Sequence, residues 1–139
     1  MIAYVDSSVL LRFVLDQPDP LLGLHDFAQR ITSAVTEVEC LRVIDASRLA
    51  GELNDDEYAD RRAAVFSQLR RMRRVVVSGS VLRRAGEPLP APLKALDAAI
   101  HMGTALQWRD HEAPDLVFAT HDRQQGRVAR LLGFAVIGI

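Results

Sequence analysis

The first fifteen residues constrain the fold of this chain more than any other stretch. Ile2-Ala3-Tyr4-Val5 has the apolar, β-favouring composition of a short buried strand. Asp6 follows at once, and Ser7 and Ser8 then open the apolar segment Val9 to Leu15, which is long enough for two helical turns. Either serine can cap that helix by accepting a backbone N–H bond. This order of strand, acid, cap and helix predicts an open α/β sheet, in which ligands bind beyond the carboxyl ends of the strands.

The rest of the chain alternates between strand and helix patterns. It predicts a single domain over residues 1–139, with a mostly parallel central sheet of about five short strands and helices on both faces. Thr36 and Glu39 match a capping box, Asn54 or Asp55 caps the next helix, and Gly133 ends the last one. The predicted strands cover residues 2–5, 30–35, 75–77, 116–120 and 134–137. The predicted helices cover about residues 9–15, 21–29, 36–53, 55–73, 81–85, 93–107 and 123–132.

Composition excludes several classes of protein. A chain of 139 residues that is 49% hydrophobic and 25% charged is an ordinary globular domain. A net charge of −1 provides no overall basic footprint for nucleic acid. Cys40 is the only cysteine, which excludes an internal disulfide and suits a reducing compartment. No signal-peptide pattern occurs, and no apolar run approaches the roughly 20 residues that a bilayer crossing needs. We therefore expect a soluble cytoplasmic protein without a membrane partner.

Four acidic residues occupy unusual positions in this pattern. Asp6 and Asp122 each follow the predicted carboxyl end of a strand, while Glu39 and Asp97 lie on apolar helix faces. A carboxylate on an apolar face is unfavourable unless something pairs with it. Each position also has an ordinary explanation: Glu39 can pair with Arg42 three residues on, Asp97 can lie in a solvated notch, and Asp122 can cap a helix.

Taken together, the four acids indicate a metal site. Several carboxylates gather most readily around a hard cation, and oxygen-only ligands favour Mg²⁺ or Mn²⁺. One cysteine and four scattered histidines do not have the spacing of zinc ligands. His101 is expected to be a packed or edge histidine, and Cys40 a core residue. The usual phosphate-binding loops and the serine-hydrolase elbow do not occur in the chain.

With these motifs in place, the chain resembles PIN-domain proteins, and in particular the VapC-type toxins. The resemblance covers almost all of the chain and rests on the order and spacing of four segments. These are Val5-Asp6-Ser7-Ser8, Thr36-Glu37-Val38-Glu39 with Arg42, Leu96-Asp97-Ala98-Ala99-Ile100-His101, and Ala119-Thr120-His121-Asp122 before a helix ending Leu132-Gly133-Phe134.

The resemblance implies a PIN-like three-layer sandwich with the activity of a metal-dependent ribonuclease. Its acidic site would consist of Asp6, Glu39, Asp97 and Asp122 around Mg²⁺, with Mn²⁺ as a substitute. Ser8, Thr120 and Arg42 would be polar supports of that site. The resemblance also implies an RNA substrate, a homodimer, and a cognate VapB-type antitoxin that inhibits the toxin.

Several alternatives stay open at the level of sequence. A shift in the alignment of the fourth acid would replace Asp122 by Asp115, and the number of metal ions and the RNA bond that is cut are undetermined. A non-catalytic RNA- or partner-binding module is one rival. A phosphoacceptor signalling domain is another, although it needs an Asp after the third strand, where this chain has Ser78-Gly79. The arginines between Arg61 and Arg84 either contact RNA phosphates or form a solvated helix face.

Overall fold

A computed structural model describes all 139 residues. The centre of the structure is a sheet of five parallel strands. The strands are β1 Ile2–Val5, β2 Gln29–Ser33, β3 Arg73–Val75, β4 Val117–Ala119 and β5 Ala135–Ile137, in the spatial order β3-β2-β1-β4-β5. The helices are α1 Ser7–Val14, α2 Val35–Leu49, α3 Asp55–Leu69, α4 Gly79–Ala85, α5 Leu96–His111 and α6 Arg123–Leu131, and Leu22–Asp26 forms a 3₁₀ helix.

Strand β1 lies in the middle of the sheet and is buried on both faces. Tyr4 pairs with Ile31 of β2 on one side and with Phe118 of β4 on the other. One core cluster packs β1 against α1, α2 and α3, and a second packs the sheet against α5 and α6. Helices therefore cover both faces of the sheet, which confirms the predicted three-layer α/β architecture.

The third strand is an edge strand and differs from its prediction. The apolar run Val75-Val76-Val77 predicted a strand over 75–77, but β3 covers Arg73–Val75. Its pairing with β2 runs from Ile31↔Arg73 to Ser33↔Val75, and the side chain of Val76 is 73% exposed. An edge strand tolerates charged side chains, and the guanidinium of Arg73 lies over the Trp108 ring at 4.6 Å.

Four helix starts also differ from the predictions. Asp6, rather than Ser7 or Ser8, caps α1. The predicted capping box of Thr36 and Glu39 is absent, because Ala34 precedes α2 without a side-chain cap. Only the 3₁₀ helix Leu22–Asp26 forms within the predicted helix over 21–29, because Gln29 already belongs to β2. Helix α5 begins at Leu96 rather than residue 93, which places Asp97 in its first turn. None of the helices is both long and apolar enough to cross a membrane.

Helices α4 and α5 approach each other so closely that a glycine is required between them. A Cβ atom added to Gly103 would lie 2.7 Å from the backbone nitrogen of Ala85 and 2.9 Å from its Cα atom. We predict that Gly103→Ala lowers the free energy of unfolding by a net amount of about 1–2 kcal/mol, because overpacking against backbone is hard to relieve and costs about 2–3 kcal/mol. This outweighs the advantage of about 1 kcal/mol that alanine has over glycine in a helix.

Urea unfolding followed by circular dichroism measures this effect, and Gly79→Ala is the matched control. Gly79 is the first residue of α4, and a Cβ atom there has no neighbour within 4 Å. The control variant is expected to unfold like the wild type. Equal stability of Gly103→Ala and the wild type would show that α4 can move away from α5 at little cost.

Candidate functional site

Asp6 lies at the carboxyl end of the central strand and is completely buried. One carboxylate oxygen accepts hydrogen bonds from the backbone nitrogens of Ser8, at 3.0 Å, and Val9, at 3.4 Å, and from the Ser8 hydroxyl. The other accepts a 2.6 Å hydrogen bond from the hydroxyl of Thr120. These donors compensate for the burial of a carboxylate and hold it in one orientation.

The same hydroxyl groups join the ends of β1 and β4. Thr120 follows β4, and its Oγ1 also accepts a 2.9 Å bond from the backbone nitrogen of Asp122. The Ser8 hydroxyl oxygen accepts a 2.9 Å bond from the backbone nitrogen of His121. Ser8 and Thr120, the predicted polar supports, both donate to the Asp6 carboxylate. Because both contact the Asp6 carboxylate and the chain after β4, they fix the two strand ends relative to each other.

Asp122 is a helix cap at the neighbouring strand end. Its carboxylate accepts hydrogen bonds from the backbone nitrogens of Gln124, at 2.8 Å, and Gln125, at 3.1 Å, at the start of α6. Asp115, the alternative fourth acid, precedes β4 and is exposed near the amino-terminal ends of the strands, on the far side of the sheet from Asp6. The structure therefore places Asp122, and not Asp115, at the carboxyl ends of the strands.

Glu39 extends from the second turn of α2 into the same region, and its side chain is only 14% exposed. The Ser7 hydroxyl donates to one carboxylate oxygen at 2.8 Å, and Nε2 of His101 lies 2.6 Å from the other. Arg42 is on the outer surface and pairs with Asp45 at 3.0 Å. Both predictions for Arg42, as a support of the site and as a partner of Glu39, are therefore wrong. Its guanidinium reaches Asp45 three residues along the helix instead.

Asp97 lies beside Glu39 in the first turn of α5. The hydrogen bond with Glu39 is the largest influence on Asp97 and lowers its pKa. Backbone N–H groups at the helix start and the electrostatic influence of the neighbouring His101 lower the pKa of Asp97 further, while burial opposes them. Asp97 is exposed rather than set among apolar neighbours, and a helix N-terminus favours an acid. The expectation that Asp97 is an unusual carboxylate in the middle of a helix is therefore wrong. Its proximity to Glu39 still makes it a candidate for the acidic site.

Two buried groups, Tyr4 and Cys40, have raised pKa values to which both Asp6 and Glu39 contribute. Burial, and next the charge of Asp6, raise the pKa of the Tyr4 hydroxyl well above its usual value, and Glu39 adds to the effect. Burial likewise raises the pKa of the Cys40 thiol to about 12, with contributions from Glu39 and Asp6. Cys40 therefore stays protonated at neutral pH and is a core residue rather than a nucleophile.

The acidic side chains do not form a closed cage. No three histidine, cysteine, aspartate or glutamate side chains are close enough together to enclose a metal ion. Glu39 is nevertheless the largest influence on the pKa of Asp97, so the two carboxyl groups are neighbours, and a bound cation would offset the repulsion between their charges. The donors are oxygen atoms, so the residues fit a hard divalent cation such as Mg²⁺ and do not fit zinc.

Sequence reasoning did not identify three residues that belong to this arrangement. Ser7 contacts Glu39, His101 contacts Glu39 and Tyr4, and the Tyr4 hydroxyl is 2.8 Å from Nδ1 of His101. For His101 one signal was present, because it lies four residues after Asp97 and therefore on the same helix face. Tyr4 carries no such signal, since a tyrosine in a buried strand is ordinary core composition.

Three comparisons relate the chain to known proteins. The model of the PIN domain family matches residues 3–131. No curated protein matches by sequence. The structure of VapBC2 from Rickettsia felis bound to a DNA fragment from their promoter has a TM-score of 0.68 at 12% identity, covering 99% of this chain and 98% of that chain. A toxin–antitoxin complex from Klebsiella pneumoniae has a TM-score of 0.66 at 15% identity, with the same coverage.

Proposed function

This chain belongs to the PIN domain family, and from that premise we propose that it is a metal-dependent endoribonuclease that hydrolyses RNA phosphodiester bonds. The observation that carries the proposal is the buried carboxylate of Asp6 at the carboxyl end of the central strand, followed by Ser7, whose hydroxyl donates to Glu39, the neighbour of Asp97. A carboxylate set of this kind suits a metal-assisted hydrolase, and the family assignment makes a nuclease the most suitable activity.

In this proposal Asp6, Glu39 and Asp97 would supply carboxylate oxygens to one or two Mg²⁺ ions, with Asp122 as the fourth acid and Mn²⁺ as a substitute metal. A closed cage is not needed for this, because Mg²⁺ keeps several water ligands. When bound, the metal supplies an acidified water for attack at phosphorus and offsets the charge on the leaving oxygen. Ser8 and Thr120 hold Asp6 in place through their hydroxyl groups, at no cost of reorganisation during the reaction.

Most of the arginines first considered for RNA binding have partners within the protein. Arg61 donates to the carbonyl oxygen of Val14, and Arg62 lies over the rings of Tyr58 and Phe66. Further along this stretch, Arg73 lies over Trp108, Arg74 pairs with Glu37, and Arg84 pairs with Glu87 and Asp110. These contacts favour a structural role for these five side chains.

A different set of arginines is free of partners and begins beside Asp122. The arginine row of α6 consists of the exposed residues Arg123, Arg127 and Arg130, none of which pairs with a carboxylate. With Leu131 and Ile139 it lines a surface depression of about 460 Å³. The row extends over about 10 Å of helix. We therefore propose that it binds the phosphates of the RNA strand as the strand leaves the acidic site.

Replacing the row is expected to weaken RNA binding in a salt-dependent manner. In Arg123→Gln/Arg127→Gln/Arg130→Gln, the slope of log affinity against log salt for a single-stranded RNA should fall by about 2, since each phosphate contact contributes roughly 0.7. Fluorescence anisotropy in EDTA, which prevents cleavage, measures the slope. The control is Arg70→Gln/Arg71→Gln, at the end of α3. An unchanged slope in the triple variant, or an equal loss in the control, would contradict the proposed path.

The similar structures also support a biological setting for the activity. They include toxins in complex with antitoxins, and we propose that this chain is a VapC-type toxin in the cytoplasm, active as a homodimer and inhibited by a cognate VapB-type antitoxin. Helix α2 has apolar side chains in solvent, Val38 at 57% and Leu49 at 71% exposed. An apolar antitoxin segment along α2 and α3 would cover them, with an arginine that reaches Asp6, Glu39 or Asp97.

A nuclease assay tests the proposed function directly. Purified chain is incubated with RNA in Mg²⁺ and, separately, in EDTA, and cleavage is expected only with the metal. Cleavage should stop when the antitoxin is added, and an antitoxin whose pocket-reaching arginine is changed to Ala should bind but inhibit less. RNA that is bound but left intact in Mg²⁺ would instead support the non-catalytic module. The phosphoacceptor alternative lacks its required residue, since Val76, Val77 and Ser78 follow β3.

A further inference from the structure

One buried hydrogen-bond chain connects the core of the protein to the acidic site. His101 is completely buried on α5, and its two ring nitrogens have different partners. Nδ1 lies 2.8 Å from the hydroxyl of Tyr4, and Nε2 lies 2.6 Å from a carboxylate oxygen of Glu39. A buried histidine with both nitrogens occupied has no freedom to rotate without breaking a hydrogen bond.

The donors and acceptors along this hydrogen-bond chain can be assigned. A tyrosine hydroxyl keeps its proton at neutral pH and donates it, so Nδ1 of His101 accepts. In the neutral imidazole, Nε2 then carries the hydrogen and donates it to Glu39. Tyr4 is itself held by its surroundings, because its ring stacks on Phe118 at 5.4 Å and packs edge-on against His101 at 5.9 Å. The core thus fixes both the position and the tautomer of the imidazole.

We propose that His101, held by Tyr4, is a positioning residue that sets the orientation in which the Glu39 carboxylate binds the metal. The inference rests on the proposed function, since it concerns the metal ligand assigned there. The Ser7 hydroxyl holds the second oxygen of Glu39 at 2.8 Å, so His101 and Ser7 together leave the carboxylate one orientation. Outer partners of this kind orient metal ligands and tune their affinity.

Two substitutions separate the two halves of the imidazole. In His101→Gln the side-chain amide nitrogen occupies about the place of Nε2, so the donor to Glu39 is retained. In His101→Asn the side chain ends near the place of Nδ1, and the donor to Glu39 is lost. Both variants place a neutral amide in the same buried site. If the role of His101 were purely structural, His101→Gln and His101→Asn would therefore change the metal affinity by similar amounts.

The readout is the affinity for Mn²⁺, measured by electron paramagnetic resonance of the free ion in the absence of RNA. His101→Asn is expected to bind Mn²⁺ about 10 to 100-fold more weakly than the wild type, the range found when outer partners of ligands are removed. His101→Gln is expected to stay within about threefold of the wild type, since the oriented donor remains. His111→Gln, at the end of the same helix and exposed, is the control and should not change the affinity.

A milder variant covers the case in which neither His101 variant folds. Tyr4→Phe keeps the ring and removes only the hydroxyl, and it is expected to weaken Mn²⁺ binding by about fivefold, the loss of one neutral hydrogen bond. Tyr58→Phe on α3 is its control. Wild-type affinity in His101→Asn, or in Tyr4→Phe where the His101 variants do not fold, would overturn the inference and leave the proposed function standing. A wild type that binds no Mn²⁺ would instead overturn the metal site, and the inference with it.

Discussion

Asp6→Asn and Asp97→Asn are each expected to slow Mg²⁺-dependent RNA cleavage by about 100-fold or more, the scale on which loss of one electrostatic stabiliser slows a reaction. Each substitution replaces a carboxylate oxygen by an amide nitrogen, which cannot bind a hard cation. The fold should persist in both. Asparagine caps a helix as well as aspartate does, so α1 keeps its start when Asp6 is changed.

Unfolding without metal separates catalysis from stability in these variants. Asp6→Asn should unfold like the wild type or at slightly higher temperature, because a buried charge is replaced by a neutral amide. Asp97→Asn should lose about 0.3–1 kcal/mol, since an acid in the first turn of a helix is favoured by the helix dipole. Either variant cleaving RNA at the wild-type rate would remove that residue from the set of metal ligands.

The same assay decides which residue is the fourth acid. Asp115→Asn makes the same change of charge at the amino-terminal ends of the strands and should leave cleavage unaffected. Asp122→Asn retains the cap of α6 and removes only the charge. If Asp122→Asn also cleaves normally, its carboxylate serves only as a helix cap.

Divalent metal is expected to raise the melting temperature of the wild type and to leave that of Glu39→Gln unchanged. Binding to the native state alone stabilises it by about 2.7 kcal/mol when the metal concentration is 100 times Kd. For a chain of 139 residues this corresponds to roughly 8 °C. Glutamine keeps the size of the side chain and an oxygen that can accept from Ser7 or His101, but not the charge.

Differential scanning calorimetry with Mg²⁺ and with EDTA makes this comparison, and Glu37→Gln is its matched control. Glu37 lies two residues earlier on α2, where it pairs with Arg74 at the surface. The control should keep the full metal response. A metal response in Glu39→Gln equal to that of the wild type would show that Glu39 is not a ligand. The proposed ligands would then be reduced to Asp6 and Asp97, with Asp122.

The sequence predicts the architecture well because each strand–helix unit has a strong local pattern. The run Ile2–Val5 followed by an acid places Asp6 correctly at the end of β1. Asn54, one of the two predicted caps, does cap α3, and it forms a capping box with Glu57. Edge strand β3 was misplaced because its position depends on pairing with β2 rather than on its own apolar residues. Arg42 was misplaced because two acids, Glu39 and Asp45, lie within one helical turn of it.

The contacts of His101 could not be derived from local pattern at all. Its partners Tyr4 and Glu39 are 97 and 62 residues away along the chain, and they meet only when the sheet and both helix layers are assembled. Helical spacing shows that His101 shares a face with Asp97, but it does not show what that face meets. Long-range packing decides this, and a single sequence carries little record of it.

The central position of β1 has a consequence for synthesis of the protein on the ribosome. The first strand to be made receives its second neighbour, β4, only after residue 116, because β4 pairs Ala3 with Val117 and Val5 with Ala119. Thr120, which fixes Asp6, is made later still. An emerging chain that stops at residue 114 has one side of β1 unpaired and lacks this support. The nascent chain therefore cannot assemble the complete acidic site before almost all of it has left the ribosome.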